Sequence, residues 1–226
     1  MRLTRAEQQQ RTRREILAAA DRLFVEQGFH ATSVDQIAQA ARYTKGAVYS
    51  NFDAKEDLFF AIYEQRMERA LAEVERRKRQ TGDPRSVILA MTSDTARRRG
   101  RDDRWLATFF EFWAHVVRRP ALRARFAAIH ARMRDSFAEG LQQMAAERDA
   151  ELPVGAQPAA AAMLAMSFGL ALERLVQPDV VDDQLGVRVT ELVLDDLVKG
   201  ASDGGTDRTA AGGGPRAAAR ARAGRT

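Results

Sequence analysis

Residues 33–52, SVDQIAQAARYTKGAVYSNF, hold two helical signals that are each too short to stand alone. Ser33-x-x-Gln36 has the spacing of a capping box, which starts a helix at Val34. Val34, Ile37, Ala38 and Ala41 then recur at helical spacing and mark its buried face. Thr44 can cap a second helix over 45–51, with Val48 and Phe52 four apart. Helices of about two turns are unstable in water by themselves. A chain with this stretch must therefore supply longer helices to clamp it. Two short helices joined by a tight turn form a helix-turn-helix, whose second helix can enter the major groove of DNA. A plain surface αα-hairpin fits the same spacing.

The surface chemistry of the second helix suits the first reading. Thr44 and its neighbouring N–H groups sit at a helix N-terminus, which favours a phosphate. Lys45 supplies a cation for a phosphate or a guanine edge. Gly46 and Ala47 have almost no side chain and allow close approach to bases. Tyr49, Ser50 and Asn51 offer hydroxyl and amide groups, and the segment carries no Asp or Glu. With Ser33 at the first helix start and Lys55 just beyond, these are the candidate DNA-contacting residues.

Suitable clamps flank the stretch. Ile16, Leu17, Ala20, Leu23 and Phe24 form the stripe of a helix over 8–27, ended by Gly28. Asp53-x-x-Glu56 starts a long helix over 54–80, with Leu58, Phe59, Ile62, Tyr63 and Met67 inward. Thr81-Gly82-Asp83-Pro84 breaks the pattern. The expected organisation is a flexible, basic arm at 1–9, a DNA-binding domain at 10–70, a helical body at 71–200 and a disordered Gly/Ala/Arg tail at 201–226.

Residues 12–67 resemble the DNA-binding domain of TetR-family transcriptional repressors. The resemblance rests on Ala19-Ala20-x-x-Leu23-Phe24, Gly28-Phe29, Thr32-Ser33-Val34 with Ile37-Ala38, Thr44-Lys45-Gly46 with Val48-Tyr49, Asn51-Phe52, and Lys55-Glu56-Asp57-Leu58. Where the family often has Tyr-His before the Phe, this chain has Tyr49-Ser50-Asn51. The resemblance implies an all-α fold: an N-terminal three-helix helix-turn-helix domain and a C-terminal helical domain for ligand binding and dimerisation.

The body carries two further features. Two Trp and three Phe fall within residues 105–113, more than one helix face can bury. Trp105, Phe109, Phe112 and Trp113, with Phe126, Met133, Phe137 and Met166, are the expected lining of a pocket for an apolar small molecule. Residues 161–172 have almost no polar side chain, and the last helix, after Asp182 or Asp183, is apolar on two faces. Such helices need a cover, and a homodimer is expected through Leu164, Phe168, Leu172, Leu192 and Leu197. The helix from Pro158 to Val176 reads as too short to span a membrane, so no membrane partner is expected.

Composition narrows the function classes. With no cysteine there is no disulfide, thiolate zinc site or Cys nucleophile. The net charge of +5 suits a polyanion, but acids are mixed among the bases, so placement matters more than the total. The run Arg97-Arg98-Arg99-Gly100-Arg101 reads as a cationic helix end. Glu111 and His115 stand four apart, which is metal-ligand spacing in a single weak pair; no metal or cofactor is expected. No Ser-His-Asp set, Walker loop or dinucleotide motif occurs, so enzyme activity is not expected. The reading is a cytoplasmic, ligand-responsive repressor acting as a homodimer on palindromic double-stranded DNA. The alternative is a helical carrier or enzyme that uses the aromatic pocket.

Overall fold

Two long helices, α1 (Arg5–Gln27) and α4 (Lys55–Thr81), clamp the short α2 (Val34–Ala41) and α3 (Lys45–Tyr49). Behind them lie α5 (Pro84–Arg97), α6 (Arg101–Val117), α7 (Pro120–Ala146), α8 (Ala156–Val176) and α9 (Leu185–Lys199). The computed structural model describes residues 4–97, 101–182 and 184–199, and no strand occurs among them. The expected tail at 201–226, residues 1–3 of the arm and the centre of the cationic run, 98–100, lie outside the described residues.

Helix ends follow local chemistry, and three in the N-terminal helices differ from the sequence expectation. Thr4 and Glu7 form a capping box, so α1 starts at Arg5 and takes in most of the expected arm. Helix α3 stops at Tyr49 because Ser50 Oγ and Asn51 Nδ2 both donate to the Ala47 carbonyl, at 2.9 Å each. At the start of α4 the Asp57 carboxylate takes the Ala54 N–H at 2.9 Å, in place of a cap by Asp53.

Two apolar cores hold the helices together. The first joins Phe24, Phe29, Ile37, Val48, Phe52 and Phe59 of the N-terminal helices to Phe109, Phe112 and Phe126 of α6 and α7. The second joins Ile88, Phe137, Leu141, Met144, Met163, Leu164 and Leu194. Met133 and Phe168 pack against both. The expected boundary at 70/71 falls inside α4, and the first core crosses it. The N-terminal helices therefore rest on the body through packed side chains, with α4 running unbroken between them.

Helix α8 corrects one expectation. Its almost wholly apolar run, 161–172, is too short by itself to cross a membrane. In the fold the helix starts at Ala156 and is 21 residues long, with mean hydropathy 1.5 over its most apolar stretch, enough to cross by length and composition. Here α8 packs along α7, α6, α5 and α9. Only 28% of that apolar stretch is buried within the chain, so much apolar surface is left over.

Candidate nucleic-acid interface and internal cavity

Ser33 and Gln36 close both sides of a capping box and start α2: Ser33 N–H donates to Gln36 Oε1 at 2.7 Å, and Gln36 N–H donates to Ser33 Oγ at 3.2 Å. Helix α2 ends at Arg42 in the left-handed region, φ 61°, where a non-glycine residue is uncommon. The turn that follows is pinned to α1. Tyr43 donates its hydroxyl to Glu15 Oε2 at 2.6 Å, and that bond, with Arg11, holds the Glu15 carboxyl below its usual pKa. Thr44 then caps α3 by accepting Ala47 N–H at 3.1 Å.

A five-residue helix survives because its inner face is anchored. Val48 and Phe52 are buried, and the Arg13 guanidinium lies 4.1 Å over the Phe52 ring while donating to the Asn51 carbonyl at 2.9 Å. The outer face presents Thr44, Lys45, Gly46, Tyr49 and Ser50 to solvent; Ser33 is exposed beside it, and Ala47 and Asn51 are half-buried. A Cβ on Gly46 would meet only Thr44 Oγ1, at 3.8 Å, so the fold itself does not require glycine there.

Two lysines differ from what spacing alone conveys. Lys45 pairs with Asp35 of α2 at 2.9 Å, and that hydrogen bond raises its pKa; the pair is exposed. The second helix is free of acids in sequence, but the fold sets Asp35 beside it. Lys55 corrects a site assignment. Its ammonium donates to the carbonyls of Phe29 (2.8 Å), Thr32 (2.9 Å) and, more weakly, His30 (3.4 Å), and sits 4.4 Å over the Phe29 ring. Its three protons are directed at the α1–α2 turn, not at a phosphate, and burial pushes its pKa down.

Helix α6 grips the same turn from behind. Glu111 accepts the backbone N–H groups of Phe29 (2.8 Å) and His30 (2.6 Å). Gly28, at φ +85°, permits this approach: a Cβ there would stand 2.7 Å from Glu111 Oε2. Thr108 donates to the Phe24 carbonyl at 2.8 Å. His115 Nε2 lies 2.9 Å from Glu56 Oε1 while Arg119 donates to Nδ1 at 2.6 Å, which makes Nε2 the protonated nitrogen. Burial, more than any charge, holds the His115 pKa down. Glu111 and His115, paired by spacing in the sequence, thus serve separate partners. Nothing in the local sequence marks Glu111 as a clamp on a turn 81 residues away.

On its other side α6 lines a cavity of about 390 Å³, open to solvent on one side and walled also by α4, α5, α7 and α8. Trp105, Phe109, Met133 and Phe137 line it as expected from the sequence. Four other expected residues do not. Phe112 is fully buried in the first core, stacked 3.9 Å from Phe59. Phe126 is buried against Tyr63, and Trp113 lies behind the wall, edge-on to Phe168 at 5.2 Å. Met166 is half-buried on the far side of α8 from this lining. Periodicity does not point to Tyr63, His130 and Phe168, which also line it, nor to a rim of Arg66, Arg69, Arg77, Arg174 and Glu73. His130 Nδ1 lies 3.1 Å from the Tyr63 hydroxyl, and burial shifts the His130 pKa down and that of Tyr63 up. Hydrogen bonds from Arg76 and Arg77 hold Glu73 down at about 2.

Residues 16–62 match the family described as bacterial regulatory proteins, tetR family. Residues 84–199, about half of the chain, match the BetI-type transcriptional repressor C-terminal family. The chain belongs to the TetR family.

Among curated relatives, the HTH-type transcriptional regulator AcrR of Shigella flexneri is 44% identical over 80 residues. The transcriptional activator FasR of Mycolicibacterium smegmatis is 33% identical over 78. These matches span only 37% and 36% of the relatives' lengths, and 35% and 34% of this chain. A transcriptional regulator from Rhodococcus sp. Rha1 shares the fold with a TM-score of 0.69 at 22% identity, over 84% of this chain and 97% of that one. Membership makes the chain a DNA-binding regulator with a helix-turn-helix, and not an enzyme.

This TetR-family chain also leaves an apolar face uncovered. On α8, Ala162, Ala165, Gly169, Leu172 and Val176 follow a 3-4 spacing and are all exposed. Leu192 of α9 is 69% exposed. Of the five residues expected at a dimer interface, Leu172 and Leu192 are on this surface. Leu164 is buried in the second core, and Leu197 packs on that core half-buried. Phe168 points inward, 5.5 Å from Phe109, and lines the cavity. An all-apolar helix does not reveal in sequence which side faces its own chain.

Proposed function

We propose that the chain is a ligand-responsive repressor that binds a palindromic operator as a homodimer in the cytoplasm. One observation carries the ligand response. Helix α6 lines the cavity with Trp105, Leu106 and Phe109, and with Thr108, Glu111 and His115 it holds α1, the α1–α2 turn and α4. A ligand that shifts α6 therefore acts on the parts that position α3. Coupling of this kind is worth about 1–3 kcal/mol per site. The repressor sign rests on the C-terminal family match, since an activator stands among the curated relatives.

In this reading residues 10–70 form the reader and 71–200 the effector and dimer body. Ser33, Thr44 and Lys45 meet phosphates, Gly46 and Ala47 allow close approach, and Tyr49, Ser50 and Asn51 shape sequence choice. The exposed seam of α8 with Leu192 forms an isologous four-helix interface. Two-fold symmetry then sets half-sites about 34–36 Å apart, or a multiple of that. Sedimentation of the protein alone and with duplex DNA tests the assembly. Two chains per duplex are expected, with Leu192→Asp a folded monomer of weakened DNA affinity. A wild-type monomer, or one chain per duplex, contradicts it.

A further inference from the structure

The cavity's own lining names a class of effector, and the inference rests on the ligand-responsive reading above. The inner wall is apolar and soft: the rings of Trp105, Phe109 and Phe168, with Met67 and Met133. Thioethers and ring faces adapt to flexible apolar bodies. The volume, about 390 Å³, lies within the range for small-molecule sites, roughly 300–1,000 Å³. The rim has the opposite character. Four guanidinium groups stand there against one carboxylate, Glu73, which Arg76 and Arg77 already engage. Arg66 pairs with Asp21 at 2.7 Å and lies 4.0 Å over the Trp105 ring; Arg174 pairs with Asp103 at 2.5 Å. Asp21, Asp103 and Glu73 thus answer three of the four, while Arg69 is exposed, with no acidic partner among the described residues. The site therefore has surplus positive charge at its mouth and hydrocarbon inside, and no carboxylate left over for a cation.

We propose that the cavity binds an amphipathic anion, with a carboxylate or phosphate head at the arginine rim near Arg69 and an apolar chain along Trp105, Phe109 and Phe168. Planar, multidentate arginine donors suit either head group. Binding is read on the full chain by calorimetry and by tryptophan fluorescence, with decanoate, decyl phosphate, decanol and decylamine as probes of one chain length. Decanoate or decyl phosphate binds at least about tenfold tighter than decanol, a charge-pair difference of ordinary size, and decylamine does not bind. Which of the two anions binds tighter assigns the head group. Arg69→Glu lowers affinity for the anions about tenfold and leaves decanol binding unchanged, which also shows an intact fold. If decanol or decylamine binds as tightly as the anions, the anion claim fails while the effector cavity stands. If none of the four binds, both fail.

Discussion

Lys45 opens α3 and Lys55 opens α4, and the structure gives them opposite tasks, so replacing each by Met separates DNA contact from scaffold. In Lys55→Met the carbonyls of Phe29 and Thr32 lose donors at 2.8 and 2.9 Å. A lost partner of this kind costs about 1–3 kcal/mol. Burial already disfavours the charged ammonium, which offsets part of that loss. About 1.5 kcal/mol remains, or roughly 3–6 °C in melting temperature for a chain of this size. Because the ammonium faces protein, the slope of log affinity against log salt should not change. Lys45 is the converse. Its pair with Asp35 is exposed on both sides, a geometry worth about 0–1 kcal/mol. Lys45→Met should melt within about 4 °C of wild type and lower the salt slope by roughly 1 per chain on duplex DNA of any sequence. Scanning calorimetry and fluorescence anisotropy over a salt series read both quantities. A Lys55→Met protein that melts like wild type and shows a flattened salt slope would refute the carbonyl clamp and return Lys55 to the DNA surface.

Glu111→Gln should lower the melting temperature by several degrees, since an amide cannot accept both the Phe29 and His30 N–H groups without turning its own NH₂ toward one of them; thermal unfolding checks it, and an unchanged melt rules the clamp out. Gly46→Ala should keep or slightly raise stability, because its Cβ makes only an ordinary contact with Thr44 Oγ1 and the unfolded chain loses freedom, while DNA affinity falls. Equal affinity in an anisotropy titration would mean that the helix does not approach DNA at this face. Acid should destabilise the fold through His130. Its folded pKa is depressed by burial, with Arg134 adding to the shift, so the unfolded chain binds the proton more readily. Stability from this group is full above the usual imidazole pKa of about 6.5 and is lost as pH falls below it. His130→Gln should flatten the melting temperature's dependence on pH in that window; an unaltered slope assigns it to other groups.

The helix-turn-helix is readable because its signals are local. Capping by Ser33 and Thr44, the Val48–Phe52 anchor and the Gly28 stop depend on residues a few positions apart, and all occur in the structure. The same logic applies to the start of α1, where Thr4-x-x-Glu7 has capping-box spacing inside the segment expected to be an arm. What the chain's order does not display is which way a side chain faces. The Asp35–Lys45 pair, the Lys55 ammonium on three carbonyls and Glu111 on the α1–α2 turn each join residues ten or more apart. The aromatic run at 105–113 does exceed what one face can hold. Only the packing of α6 divides it into the cavity wall, Trp105 and Phe109, and the core, Phe112. Apolarity all round α8 likewise conceals that Leu164 and Phe168 face inward while Leu172 faces out.

Selection of bound sequences from random duplex DNA by the purified chain probes the central claim without presupposing any operator. A paired reader predicts a two-fold-symmetric consensus with half-site centres about 10–10.5 base pairs apart, or a multiple of that, lost in Gly46→Leu. An enriched sequence without symmetry, or no enrichment at all, would contradict the account.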